Sequence, residues 1–503
     1  MNTLMQGLKT NNNLIPTQNG GRAHRTTNSD VLDLFAMGGA YRNRSDDDVL
    51  NLFVKAYRED KLLALKCLFY LRDIRGGQGE RRFFRKCIEW LADKDKSVMS
   101  KNLINVPKFG RWDDLYSLFG TQLKSSTLDF MKQQLTEDLK SEHPSLLAKW
   151  MKSENASSNS SKRLAKETRD YWHWGAKQYR SALSFLRRKI DIVERKMSND
   201  EWPEIKYETV PSKAGLQYRK AFYRHDEARY SAFVNDKTKK VKAGALYPYE
   251  VVSKAISFNQ RYDNNVEREA INKFWDNLTN YFDKATFNGI AMVDTSGSMT
   301  WAARSSVKPI DVAVSLGVYL AEHAHGPFQN HYISFSSRPQ LIEINGYDFV
   351  DKVKRIVATN LCQNTNIEAA FDMLLKTAKQ YHVPDKDMPK NIIVISDMEF
   401  DAGSRDYRSG FCDSDATNCW DKAHISTTME NIADKWVEQG YTLPNLIYWN
   451  VNAMQDNIPM TGSRVSFVSG FSPSIFETIM TGKTGYELML DKLNSERYES
   501  VTV

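Results

Sequence analysis

No apolar run in this chain approaches the roughly 20 residues needed to cross a bilayer, and residues 1–25 lack the apolar core of a signal peptide. These absences argue against membrane association and secretion, so a cytoplasmic protein is expected. Cysteine is scarce: Cys67, Cys87, Cys362, Cys412 and Cys419 are the only five in 503 residues. An odd count without a CxxC pair suggests neither a disulfide framework nor a zinc knuckle, and Cys412 and Cys419 read as two loop thiols that could bridge only in an exported chain. The glycines of Gly76-Gly77-Gln78-Gly79 are not followed by the Gly-Lys-Ser/Thr of a phosphate-binding loop, which removes nucleotide hydrolysis from consideration. No Ser/His/Asp or Cys/His arrangement stands out, and the carboxylates are not clustered as a two-metal nuclease requires. A non-enzyme is expected.

What is present is enough apolar material for sizeable cores, 41% hydrophobic and 12% aromatic, in a length that allows about three domains. The formal charge of +7 hides an asymmetry. Residues 155–245 carry 21 Lys plus Arg against 11 Asp plus Glu, a net of +10, whereas residues 286–503 carry 18 against 26, a net of −8. A polyanion would suit the first stretch and be repelled by the second.

Residues 1–28, rich in Asn, Gly, Thr and Gln, are expected to be flexible. From 29 to 285 the apolar spacing is helical. Amphipathic stretches at 62–71 and 80–91 flank Arg75-Gly76-Gly77-Gln78-Gly79, the place for a helix stop in an αα-hairpin. Further helices are expected at 102–119, 142–150 and 180–196, and helix pairs in series suggest a HEAT-like repeat region.

From 286 to 503 the pattern changes to alternating strand and helix, which reads as a doubly wound sheet. Buried strands are expected at 290–293, 391–396, 444–451 and 465–468, with a shorter one at 331–336. Helices are expected at 311–325, 471–480 and 486–493. The first strand ends in Asp294-Thr295-Ser296-Gly297-Ser298, and a second ends in Ser396-Asp397. Gln363-Asn364-Thr365-Asn366 lies between them, ahead of a helical pattern. Such strand ends are where α/β folds bind their ligands. Hard oxygen donors of this kind suit Mg²⁺ better than zinc. The competing explanation, that these residues merely cap helices, does not call for a second strand ending in Asp.

This D-x-S-x-S, T, D array resembles the metal-ion-dependent adhesion site of von Willebrand factor A domains. The resemblance implies a Rossmann-type fold in which Ser296, Ser298 and Thr365 hold Mg²⁺ or another divalent cation directly or through water. Asp294 and Asp397 would stand in the first or second shell, and a partner protein's carboxylate would complete the ion. The residues before Thr365 depart from the Gly-Gly-Thr form common in such domains.

Over nearly its whole length the chain also resembles an uncharacterised family of plants, fungi, large DNA viruses and phages. That likeness is carried by Leu71-Arg72-Asp73-Ile74-Arg75, Phe109-Gly110-Arg111-Trp112-Asp113-Asp114-Leu115, Val210-Pro211-Ser212 and Leu246-Tyr247-Pro248-Tyr249. The layout is similar to the Ro autoantigen, a TROVE region followed by a von Willebrand A domain. This implies a scaffold for structured or misfolded noncoding RNA, and the alternative is a metal-dependent protein adaptor without RNA. Candidate phosphate contacts are Arg169, Lys177, Arg180, Arg187, Arg188, Arg195, Arg219, Lys220, Arg224 and Arg229. Trp172 and Trp174, with Tyr171, His173, Tyr179, Tyr218 and Tyr223, are candidates for base stacking.

Overall fold

The strands are β1 (Leu14–Pro16), β2 (Arg22–His24), β3 (Gly289–Asp294), β4 (His331–Phe335), β5 (Gln340–Glu343), β6 (Asn391–Ser396), β7 (Asn445–Asn450) and β8 (Val465–Ser469), of which β3, β6, β7 and β8 are buried apolar runs. The computed structural model describes residues 13–282, 287–302, 305–335, 338–359, 365–404, 426–476 and 483–503. The chain divides into two units: a sheet unit of residues 1–60, 246–264 and 278–495, and a helical unit of residues 61–245, 265–277 and 496–503.

In the sheet unit six strands run in the order β5-β4-β3-β6-β7-β8. All neighbouring pairs are parallel except β4 with β5. Strands β3 and β8 are buried at every position and β6 at all but its first, as expected of a parallel sheet covered on both faces. From β3 the chain moves to β4 on one side and later to β6 on the other, so the strand order reverses between β3 and β6. Such a reversal opens a crevice at the carboxyl ends of the two strands. Their register pairs Val293 with Ile395, which sets Asp294 and Ser396 at the two neighbouring ends. Helices Pro309–His323, Ile367–Gln380 and Thr428–Glu438 follow β3, precede β6 and precede β7. The expected helix at 471–480 shows only a short 3₁₀ turn, Pro473–Ile475, and residues 477–480 lie outside the described residues.

The boundaries differ from the sequence expectation at both ends of the chain. Residues 13–28 are not a loose tail: β1 and β2 form an antiparallel hairpin, and His24 exchanges backbone bonds of 2.8 Å with Ile458. Helix Asp30–Met37 and residues 38–44 pack in the sheet unit rather than in the helical one. Gly39 lies so close to β8 that an added Cβ would sit 2.7 Å from the Ser469 carbonyl, and the Ser469 hydroxyl accepts the Gly39 N–H at 3.0 Å. Arg42 stacks over Phe471 at 3.7 Å, and Asn43 donates to Asn452 at 2.8 Å. Conversely residues 496–503 join the helical unit, where Tyr498 donates to Asp73 at 3.1 Å and Asn102 holds the Thr502 carbonyl at 2.6 Å. Local periodicity carries no information on a partner some 400 residues away, which is why the division at 28 and 285 looked natural.

The helical unit explains its own motifs. Helices Lys61–Arg72 and Arg81–Lys94 flank a turn in which a Cβ on Gly77 would collide with the Tyr70 carbonyl at 1.9 Å, and Gly79 has φ +65°; the first position requires glycine and the second favours it. The fully buried Asp114 carboxylate accepts Arg72 Nε at 2.8 Å, Arg72 Nη2 at 2.7 Å, Arg85 Nε at 2.7 Å and the Arg111 N–H at 2.9 Å. The Arg-Asp and Trp-Asp-Asp segments are thus halves of one buried ion network.

Candidate metal centre

Asp294, at the end of β3, is fully buried. Its Oδ1 accepts the Ser296 N–H at 2.9 Å and its Oδ2 the Ser396 hydroxyl at 2.6 Å. The first bond folds residues 294–296 into a tight turn. The turn brings Ser296 Oγ within 3.1 Å of Ser298 Oγ. Ser396 also accepts the Met398 N–H at 3.0 Å, so one hydroxyl ties the ends of β3 and β6 together. Met398 has φ +66°, a left-handed conformation unusual for its residue type, just after Asp397.

Asp397 is 1% exposed. Its Oδ1 accepts the Glu399 N–H at 3.2 Å, while its Oδ2 makes no hydrogen bond, nor does Glu399 Oε1 or Thr295 Oγ1. Burial, and then the Asp397 charge, push the Asp294 carboxyl up to about 7 against the hydrogen bonds from Ser396 and Ser296. Burial raises Asp397 as well, opposed by the Ser298 hydroxyl. Glu399 is pushed up to about 7, mainly by burial with Asp397 adding to it, against the Gln18 N–H on its Oε2 at 2.7 Å. Buried carboxylates with unpartnered oxygens call for a proton or a cation.

Thr365 is 1% exposed. Its carbonyl accepts the Asp401 N–H at 3.1 Å, which places it beside the segment leaving β6. Its hydroxyl accepts Asn19 Nδ2 at 3.1 Å, and the same nitrogen donates to the Glu399 carbonyl at 2.5 Å. Gln363 and Asn364 lie outside the described residues, as do Cys362, Cys412 and Cys419; Cys67 and Cys87 are buried free thiols. Asp294, Ser296, Ser298 and Asp397 therefore gather at the carboxyl ends of β3 and β6, and Thr365 lies beside the segment 399–401 that leaves β6. Ser396, Glu399 and Asn19 join them and were not foreseen. The first two stand next to or two residues from Asp397 and could have been proposed from that spacing. Nothing in the local sequence around Asn19 points to the site. Among the described residues no group of three His, Cys, Asp or Glu comes together as a cation cluster; the oxygens at these strand ends are two carboxylates with several hydroxyls.

The basic and aromatic residues expected to meet RNA fare unevenly. Arg187 donates to the carbonyls of Ala148 and Met151, each at 2.9 Å, and to Ser153 at 3.0 Å. Arg219 is buried against Glu267 at 2.5 Å. Arg229 holds the Trp202 and Ile205 carbonyls. Arg169 and Arg180 share Glu154, and Arg195 pairs with Glu201 at 3.2 Å. Trp172 is buried with its indole N–H on the Leu128 carbonyl at 2.9 Å, and Trp174 lies edge-on to it at 5.3 Å. Tyr179 is buried on the Lys152 carbonyl, while Tyr171, Tyr218 and Tyr223 bond Asp129, Glu194 and Glu227. His173 sits in a left-handed turn at φ +57°. The surface retains Lys177, Arg188, Lys220 and Arg224 as exposed cations. Arg180 and Arg229 are exposed too but are paired with Glu154 and Asp226, while Arg187 and Arg219 are held inside by carbonyls and Glu267.

These two units, one helical and one a parallel sheet with hydroxyls and carboxylates at its switch point, define a mixed chain whose site lies on the sheet. The model of one domain of unknown function, DUF2828, matches residues 17–170 and 138–286, and that of another, DUF7788, matches residues 288–500. The chain belongs to the DUF2828 family. An uncharacterised protein of Acanthamoeba polyphaga mimivirus is 27% identical to it over 518 residues, covering 94% of this chain and 85% of that protein. The crystal structure of the Deinococcus radiodurans Ro (RSR) protein matches at 14% identity and a TM-score of 0.36, covering 94% of this chain and all of that one; agreement at that level bears on neither mechanism nor ligand. Among the described residues no helix is long and apolar enough to cross a membrane.

Proposed function

We propose that the sheet unit is a von Willebrand factor A-like domain that holds Mg²⁺ and binds a partner protein's carboxylate, so that the chain is a non-catalytic, metal-dependent adaptor. One observation carries this reading. Two buried carboxylates, Asp294 and Asp397, end neighbouring strands at the switch point, and Asp397 Oδ2 has no hydrogen-bond partner. Ser296, Ser298 and Thr365 would ligate the ion directly or through water, with Asp294 and Asp397 supplying the negative charge. Few charged ligands leave Mg²⁺ electron-poor and receptive to an outside carboxylate. The test is crosslinking of the full chain in its host lysate with and without EDTA, for wild type, Asp294→Ala and Ser296→Ala. A protein crosslink lost under all three perturbations supports the reading, and one that survives them refutes it.

The second reading, an RNA-binding scaffold, rests on the exposed Lys177, Arg188, Lys220 and Arg224 in the stretch of net charge +10. Reversal of Lys177, Arg188 and Arg224 to Glu tests it without unfolding the unit, whereas changes at Arg187 or Arg219 would break interior bonds. Copurifying RNA should vanish in that variant and weaken steeply with salt, independently of Mg²⁺.

A further inference from the structure

The tip of the N-terminal hairpin lies directly on the candidate metal centre. Gly21 donates its N–H to the Phe400 carbonyl at 3.2 Å, Thr17 Oγ1 donates to the same carbonyl at 2.6 Å, and Gln18 N–H reaches Glu399 Oε2 at 2.7 Å. Gly20 bridges Asp401. A Cβ on Gly21 would stand 2.5 Å from the Phe400 carbonyl, so the close approach depends on glycine there. These bonds run along residues 399–401, which begin two positions after Asp397. They deliver one side chain to the site: Asn19, whose Nδ2 lies 3.1 Å from the Thr365 hydroxyl. Gln18, Asn19 and Gly20 are themselves exposed, and Gly20 has φ +87°.

We propose that Asn19 is a further ligand of the cation, supplied by the hairpin tip, and that it occupies the position a partner's carboxylate would take. The inference rests on the Mg²⁺ reading of the preceding subsection and adds a ligand to it. An amide presents an oxygen and a nitrogen of nearly identical shape. A half-turn about its last side-chain bond therefore gives up the two bonds that Nδ2 now donates, to the Thr365 hydroxyl and to the Glu399 carbonyl, and turns Oδ1 toward the same oxygens, an arrangement that only a cation held between these hard oxygens would favour. The occupancy of this position also accounts for the burial. Thr365, Asp397, Ser296 and Asp294 are between 0% and 2% exposed, and Asn19 lies on the Thr365 hydroxyl at 3.1 Å. The cation then fastens the hairpin to the sheet edge, and a partner binds by displacing a neutral ligand with a charged one.

The experiment is Mg²⁺ titration of the full chain by calorimetry, paired with amide hydrogen exchange of residues 14–24, for wild type, Asn19→Ala and Asn19→Asp. In wild type, Mg²⁺ should slow exchange at residues 17–21 by about tenfold or more. Asn19→Ala should weaken Mg²⁺ by roughly 10- to 100-fold, the size of effect seen when a metal site loses a supporting group. It should also lose the protection at saturating Mg²⁺. Asn19→Asp should bind more tightly than wild type, because added ligand charge raises affinity. If Mg²⁺ binds all three equally and leaves residues 17–21 unchanged, the inference is overturned while the metal site stands. If Mg²⁺ binds none of them, the metal reading falls and takes the inference with it.

Discussion

Replacing a buried carboxylate normally destabilises a protein, but Asp397→Asn should do the opposite when no divalent cation is present. Asp397 is 1% exposed, its Oδ2 is unpartnered, and its charge faces the fully buried Asp294. Burial first, and then the Asp397 charge, raise the Asp294 carboxyl above the ordinary carboxylate range, so holding both groups ionised above neutral pH costs stability. Burial accounts for the larger part and Asp397 for a share of the remainder. The amide removes that share together with the cost of burying Asp397's own charge. It keeps the shape and can still accept the Glu399 N–H. A gain of roughly 1 kcal/mol or more follows at pH 8 in EDTA, about what relief of one pKa unit of like-charge repulsion is worth. For a unit of about 300 residues each kcal/mol moves the melting temperature by about 1–2 °C. The same variant should lose its response to Mg²⁺, whereas wild type at about 100 times its dissociation constant should gain about 2.7 kcal/mol. Differential scanning calorimetry of both proteins in EDTA and in Mg²⁺ measures all four states. A destabilisation above about 1 kcal/mol in EDTA would show that Asp397 is held by partners adequate to its charge, and would refute the reasoning.

Further outcomes concern the two units separately. Asp114→Ala strands the buried Arg72 and removes acceptors from Arg85 and the Arg111 N–H; urea unfolding should report a loss of about 3–5 kcal/mol in the helical unit, and a loss below about 1 kcal/mol would contradict the network. Gly77→Ala, with its Cβ against the Tyr70 carbonyl, should cost about 3 kcal/mol in the same assay. Asp33 is buried near the Thr27 N–H and hydroxyl, at 2.8 and 2.7 Å, yet burial raises it to about 6. The folded sheet unit therefore takes up this proton before the unfolded chain does. The resulting stability is fully present below about pH 4 and is lost as pH rises through about 6. In Asp33→Asn the thermal melts should lack that slope.

The strands that build the site were legible because each is a run of buried residues ending in a polar one. Residues 290–293 and 391–396 had the length and composition of central parallel strands, and Asp294 and Asp397 fell at their ends as expected. Strand β5 was not foreseen: Gln340–Glu343 is short, lies at the sheet edge and buries one of its four residues, so it carries little hydrophobic signal. The helix expected at 180–196 breaks near Asp191, which takes φ +54°, and nothing in the apolar spacing announces that break. Arg187 and Arg219 read as surface cations from composition, yet carbonyls and Glu267 claim them. Charge alone does not distinguish a phosphate contact from an arginine that caps its own fold. The N-terminal hairpin and Asn19 were hidden for a different reason, since the residues they touch lie some 350 to 400 positions away along the chain.

The central claim is that residues from three separate stretches make one divalent-cation site on the sheet unit. Electron paramagnetic resonance of Mn²⁺ titrated into the full chain tests it most directly, because bound and aqueous Mn²⁺ give distinct signals and the count of sites is read without any partner. The account predicts one bound Mn²⁺ per chain, displaced by Mg²⁺ and absent from Ser296→Ala and Asp294→Ala. No bound Mn²⁺ in wild type, or binding that persists in both variants, would contradict it.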